Sequence, residues 1–85
     1  MKYSEFEKLV GIKSQQEIDL AAVMQNGYAL QYVKDQTPEI CMAAVNQNGY
    51  ALQYVKDQTL DICLAAIKQD RGALKYVNKD IFEKE

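Results

Sequence analysis

Residues 25–37 read Gln-Asn-Gly-Tyr-Ala-Leu-Gln-Tyr-Val-Lys-Asp-Gln-Thr, and residues 47–59 repeat those thirteen residues in the same order. Identity of this length at an offset of 22 residues constrains the fold more than any other feature. Whatever the first copy does the second must also do, and each has to shield apolar surface with a neighbour of its own kind. The register extends beyond the identity. Ala21-Ala22-Val23 maps onto Ala43-Ala44-Val45 and then onto Ala65-Ala66-Ile67, while Ile40-Cys41 maps onto Ile62-Cys63. A third unit keeps Gln69, Ala73, Leu74, Tyr76 and Val77 but has Arg71 where Gly27 and Gly49 stood, with Gly72 one place later. Terminal repeats drift in this way because one face has no neighbour to match. Upstream, Glu17 and Ile18 still align with Glu39 and Ile40.

A period of 22 fits six turns of a continuous helix at about 3.67 residues per turn, the geometry of a right-handed coiled coil. The breakers argue for two short helices per unit instead. Asn26-Gly27 and Asn48-Gly49 interrupt any helix, and Pro38 is comfortable only in a first turn, behind Thr37 as its cap. In the middle unit the first helix is expected over about Pro38–Gln47 and the second over about Tyr50–Asp57. Helices this short are marginal alone. Their apolar stripes, Ile40, Cys41, Ala44 and Val45 on the first and Ala51, Leu52 and Val55 on the second, therefore have to pack on adjacent units. The Ala43-Ala44 pair lets a neighbouring helix come close.

Two capping boxes, Ser4-x-x-Glu7 and Ser14-x-x-Glu17, mark helix starts near the N-terminus. The first opens a capping helix over Tyr3–Val10 whose Phe6, Leu9 and Val10 are expected to cover the first unit. Ile81 and Phe82 are expected to fold back as a short cap, with Lys84 and Glu85 frayed. The expected fold is all-α: a short helical-hairpin repeat array, an α-solenoid of about three 22-residue units in one domain spanning 1–85. Its parts are a cap over 1–14, repeats over about 15–36, 37–58 and 59–80, and a tail over 81–85.

The pattern Ala-Val-x-Gln-Asn-Gly-x-Ala-Leu-x-Tyr-Val, followed by an acidic residue, an aliphatic one and another Ala-Ala pair, resembles a family of short tandem helical repeats catalogued as a domain of unknown function. Ala44, Val45, Gln47, Asn48, Gly49, Ala51, Leu52 and Val55 carry the resemblance, with their counterparts 22 residues earlier and a partial set in the third unit. It covers roughly Glu17 to Val77. The resemblance implies an all-helical repeat array and brings no catalytic residues with it.

Composition narrows the function classes. Ten Lys and Arg against twelve Asp and Glu leave a net charge of −2, which offers no attraction to a polyanion or an anionic membrane. The second helix of each unit also lacks the basic face that a DNA-reading helix-turn-helix needs. With no histidine, every His-based dyad, triad and metal site is excluded. Carboxylates are plentiful, yet none stands beside a nucleophile or a glycine-rich phosphate loop, so no enzyme, cofactor or metal site is expected. Two cysteines and no apolar leader after Met1 point to a reducing, cytoplasmic setting, and no stretch reaches the about 18–20 apolar residues of a membrane span.

Cys41 and Cys63 occupy one repeat position. Equivalent positions on neighbouring helices lie about 8–10 Å apart, beyond the roughly 7 Å limit for a disulfide, so both are expected as small core residues. Five of the six tyrosines also recur with the period: Tyr32, Tyr54 and Tyr76 in one ladder, Tyr28 and Tyr50 in another that stops at Gly72. Tyr28 and Tyr50 directly follow the turn glycine and are expected to be the more exposed. Repeated amphipathic rings suit partner recognition as well as packing between repeats. Gln25, Gln47 and Gln69 make a further ladder, whose amides could bind an extended peptide backbone or simply face solvent. The candidate partner-binding residues are therefore Tyr28, Tyr50, Tyr32, Tyr54, Gln25 and Gln47. The expected role is a non-enzymatic module for a protein or peptide partner. The alternatives are a self-assembling homo-oligomer and a fragment of a longer array.

Overall fold

The structure, a computed structural model, describes residues 14–83, with side chains described through Ile81. The expected capping helix Tyr3–Val10, with its Ser4 box, lies outside the described residues, as do the Phe82 side chain and the tail at Lys84 and Glu85. Helix α1 spans Gln15–Gln25, α2 Pro38–Gln47 and α3 Leu60–Gln69, and the short α4 covers Asp80–Glu83. After each of the first three comes a six-residue 3-10 helix, at Gly27–Tyr32, Gly49–Tyr54 and Arg71–Tyr76. Among the described residues there are no strands, so the chain is an all-helical set of three repeated units.

Local chemistry starts each α-helix where the sequence indicates. Ser14 caps α1 with a complete box: its Oγ accepts from the Glu17 N–H at 3.3 Å, while its own N–H donates to the Glu17 carboxylate. Thr37 and Thr59 cap α2 and α3 by accepting from the Ile40 and Ile62 N–H groups, and Pro38 occupies the first turn of α2 without wasting a donor.

One residue both ends the α-helix and begins the 3-10 helix. Asn26, Asn48 and Asp70 sit in extended backbone, with φ of −152°, −154° and −156°. Each donates its N–H to the carbonyl four residues back (Ala22, Ala44, Ala66) and accepts, through its side chain, the N–H two residues ahead. Asp70 replaces asparagine in the third unit without losing this double cap, because the cap needs only an acceptor oxygen.

The second helix of the middle unit differs from the expected Tyr50–Asp57. It is a 3-10 helix over Gly49–Tyr54, and the chain turns extended at Val55 (φ −76°, ψ 119°). Three residues per turn bring positions i and i+3 into line, so six residues suffice to bury Leu52 and Ala51 completely and Val55 nearly so. Beyond Val55 the backbone bonds outward: the Lys56 N–H donates to the Gln36 side chain of the preceding unit at 3.0 Å. A bond between units thus replaces the next turn of helix.

The core is one cluster running through all three units. Val23, Leu30, Ile40, Ala44, Val45, Leu52, Ile62, Cys63, Ala66 and Ala73 are among its members, and no polar or charged residue among those described is buried. The α-helices pack in chain order, α1 on α2 and α2 on α3, and the 3-10 helices do the same. Full burial of an aliphatic side chain contributes about 1.5–3 kcal/mol, and here most of it comes from contact between units, which is why such short helices persist. At the far end, Ile81 of α4 is half-buried against the cluster. No described helix is long and apolar enough to cross a membrane.

Candidate functional site

The tyrosines meet across the two ladders rather than along them. Tyr28 stands edge-to-face with Tyr54 of the next unit, ring centres 6.1 Å apart and planes at 86°. Tyr50 and Tyr76 repeat the arrangement at 6.0 Å and 85°. Within one 3-10 helix, residues four apart point about 120° from each other, so Tyr28 reaches forward to the following unit and Tyr54 reaches back. Each corner joins a forward ring to a backward one. All four rings are half-buried, whereas Tyr32, with no described ring behind it, is 79% exposed. The expectation that Tyr28 and Tyr50 are the exposed pair is therefore corrected: the T-shaped contact covers one side of each, and the exposed ring is Tyr32.

The two corners differ in one side chain. Lys75 lies beside the second, its Nζ 5.6 Å from the Tyr50 ring centre and 5.3 Å from that of Tyr76, within range of a cation–π interaction with both. The equivalent residue at the first corner is Gln53, whose Nε2 donates to the Tyr50 carbonyl of its own 3-10 helix.

Of the candidate glutamines, Gln47 ties two units together. Its Oε1 accepts the Gly27 N–H at 2.6 Å and its Nε2 donates to the Gln25 carbonyl. The Gln25 side chain is exposed. Sequence reasoning passed over the more important amides, Gln36 and Gln58. Gln36 Nε2 donates to the Tyr54 carbonyl at 2.8 Å and to the Leu30 carbonyl at 3.5 Å, while its Oε1 accepts the Lys56 N–H and the Cys41 thiol. Gln58 makes the same four bonds one unit on, to the Tyr76 and Leu52 carbonyls, the Asn78 N–H and the Cys63 thiol. The available signal was that both glutamines lie inside the thirteen-residue identity.

Cys41 and Cys63 are buried and unbonded to one another. Burial pushes both thiols above the ordinary value, and the Asp57 carboxylate adds to the effect at Cys41. Neither is poised as a nucleophile. Two shallow grooves open on the surface. One of about 180 Å3 is lined by Lys34, Gln36, Cys41, Lys56 and Ile62, and one of about 380 Å3 by Gln15, Asp19, Tyr32 and Lys34.

The glycines explain how closely the units approach. A Cβ on Gly27 would lie 2.5 Å from the Ala44 carbonyl oxygen, and one on Gly49 the same distance from that of Ala66. These are backbone atoms of the next unit, so glycine is required by contact, not by its backbone angles.

No curated protein and no solved structure matches the chain. The family described as "Domain of unknown function (DUF4116)" matches twice, over residues 17–60 and 37–82, and the two matches end one 22-residue repeat apart. A repeat legible in residues, packing and family pattern alike supports one conclusion: the chain belongs to the DUF4116 family.

Proposed function

We propose that the chain is a non-enzymatic interaction module, a small α-solenoid that works in the cytoplasm and binds a protein or peptide partner along the surface made by its 3-10 helices. The carrying observation is that this surface presents an aromatic corner twice at equal spacing, Tyr28–Tyr54 and Tyr50–Tyr76, with the exposed Tyr32 at its edge. Half-exposed tyrosines held rigid by a neighbouring ring lose little entropy on binding, which is what recognition surfaces favour. A partner strand or helix that crosses two units can engage the same chemistry twice.

Self-assembly is the second reading. In its favour, Ile18 is 48% exposed and Tyr32 79%, while of their counterparts one unit on Ile40 is buried and Tyr54 half-buried. Against head-to-tail stacking, the third unit offers Arg71 and Asp80 where Gly27 or Gly49 and Gln36 or Gln58 receive a neighbour. Sedimentation separates the two: the module sediments at 9.7 kDa independently of concentration, and a self-assembling chain grows heavier as it is concentrated. The module reading is then tested by crosslinking-coupled purification from the native cell. It expects a specific partner, lost in Tyr32→Ala/Tyr54→Ala chains that keep their helical circular dichroism. Retention of that partner by the double variant removes this surface from the account.

A further inference from the structure

The contrast between the two tyrosine corners identifies a ligand class. At the second corner the protein supplies its own cation: the Lys75 ammonium sits 5.6 Å and 5.3 Å from the two ring centres. The first corner has the same ring separation, 6.1 Å against 6.0 Å, and the same interplanar angle within a degree. Its residue at the Lys75 position is Gln53, neutral and turned back onto the Tyr50 carbonyl at 3.1 Å. A site that holds an ammonium at the second corner is thus reproduced one unit earlier with no cation from the described residues over its rings.

We propose that the Tyr28–Tyr54 corner binds the ammonium group of a lysine side chain on a partner protein, in the place Lys75 takes at Tyr50–Tyr76. This rests on the interaction reading above and adds its chemistry. In the angle of a T-shaped pair two ring faces converge, so a cation entering it meets π density from both rings, as the Lys75 ammonium does over Tyr50 and Tyr76, while its methylene stem packs along the rings. The net charge of −2 leaves no long-range repulsion against a cationic segment. Gln53 is exposed and makes room without uncovering the core.

The test uses Nα-acetyl-lysine amide and its apolar analogue Nα-acetyl-norleucine amide, each titrated into the full chain while the tyrosine ring resonances are followed by NMR. The lysine compound should move the Tyr28 and Tyr54 signals with an initial slope about two- to fivefold steeper than the norleucine compound gives, the ratio expected of a cation–π contact at an exposed site. Tyr50 and Tyr76 should respond less, because Lys75 already occupies them. In Gln53→Lys the response at Tyr28 and Tyr54 should fall to the norleucine level, and in Lys75→Gln a new response should appear at Tyr50 and Tyr76. Equal slopes for the two compounds, or a Gln53→Lys chain that responds as the parent does, overturns the proposal. That result leaves partner capture intact if only the cation assignment is wrong. Loss of the interaction reading shows instead as absence of a partner, whatever the rings do.

Discussion

Three of the positions at which the third unit diverges from the first two share one property: they reach forward. Gly27 and Gly49 lie under the carbonyl of the next α-helix, Tyr28 and Tyr50 against the next unit's ring, and Gln36 and Gln58 bridge to its backbone. Unit 3 carries Arg71, Gly72 and Asp80 at those three places. Ala73 and Tyr76 match Ala51 and Tyr54, while Lys75, whose ammonium reaches back over the Tyr50 ring, stands where the earlier units have Gln31 and Gln53. Leu74 keeps its identity but not its environment, being 58% exposed where Leu30 and Leu52 are fully buried. Unit 1 shows the converse, with Asp19 at the backward position that Cys41 and Cys63 fill. At Arg71, Gly72 and Asp80, and at Asp19, drift follows the loss of a neighbouring unit on the face concerned.

Leucine offers the largest test of this asymmetry. Leu52→Ala should cost about 2–5 kcal/mol, the range for a buried leucine, while Leu74→Ala should stay within roughly 0.5 kcal/mol, both read from denaturant unfolding. Similar losses at the two sites would mean that Leu74 is covered in solution.

Glycine comes next. Gly49→Ala forces a methyl onto the Ala66 carbonyl and should cost about 1–3 kcal/mol, whereas Arg71→Ala at the equivalent place should be nearly neutral. A tolerated Gly49→Ala would show that the units are less closely stacked. The glutamines sharpen the same contrast: Gln58→Ala strands the Tyr76 carbonyl and the Asn78 N–H and should cost about 1–3 kcal/mol, with Asp80→Ala much less.

The smallest effect is the dependence on pH. Both cysteine thiols have folded values raised above 9.0 by burial, so the stability linked to their protonation is fully present below 9.0 and is lost as pH rises through the raised values. A Cys41→Ala/Cys63→Ala chain should lose stability less steeply over that alkaline range than the parent, as measured by urea unfolding at each pH. An unchanged slope would place the thiols in contact with water.

Much of the fold is legible because local signals agree with the period. Thr37-Pro38, Ser14-x-x-Glu17 and the Asn-Gly pairs each mark a boundary that local capping hydrogen bonds enforce. The 3-10 character of the second helices is not legible, since Tyr-Ala-Leu-Gln-Tyr suits either helix type. In the middle unit the Gln36 side chain takes the Lys56 N–H that a longer helix would use, a bond between units that the local sequence does not announce. The tyrosine corners are hidden for a related reason: their members are 26 residues apart, off the 22-residue period, and only the forward and backward sense of the two ladders joins them.

Hydrogen exchange at two amides tests the stacking itself. The N–H groups of Lys56 and Asn78 lie outside any helix and bond to the side chains of Gln36 and Gln58 in the preceding unit. Both should be protected in the parent chain; Gln36→Ala should expose Lys56 while sparing Asn78, and Gln58→Ala should do the reverse. Exchange of both amides at the rate of an unstructured peptide in the parent would contradict the stacking.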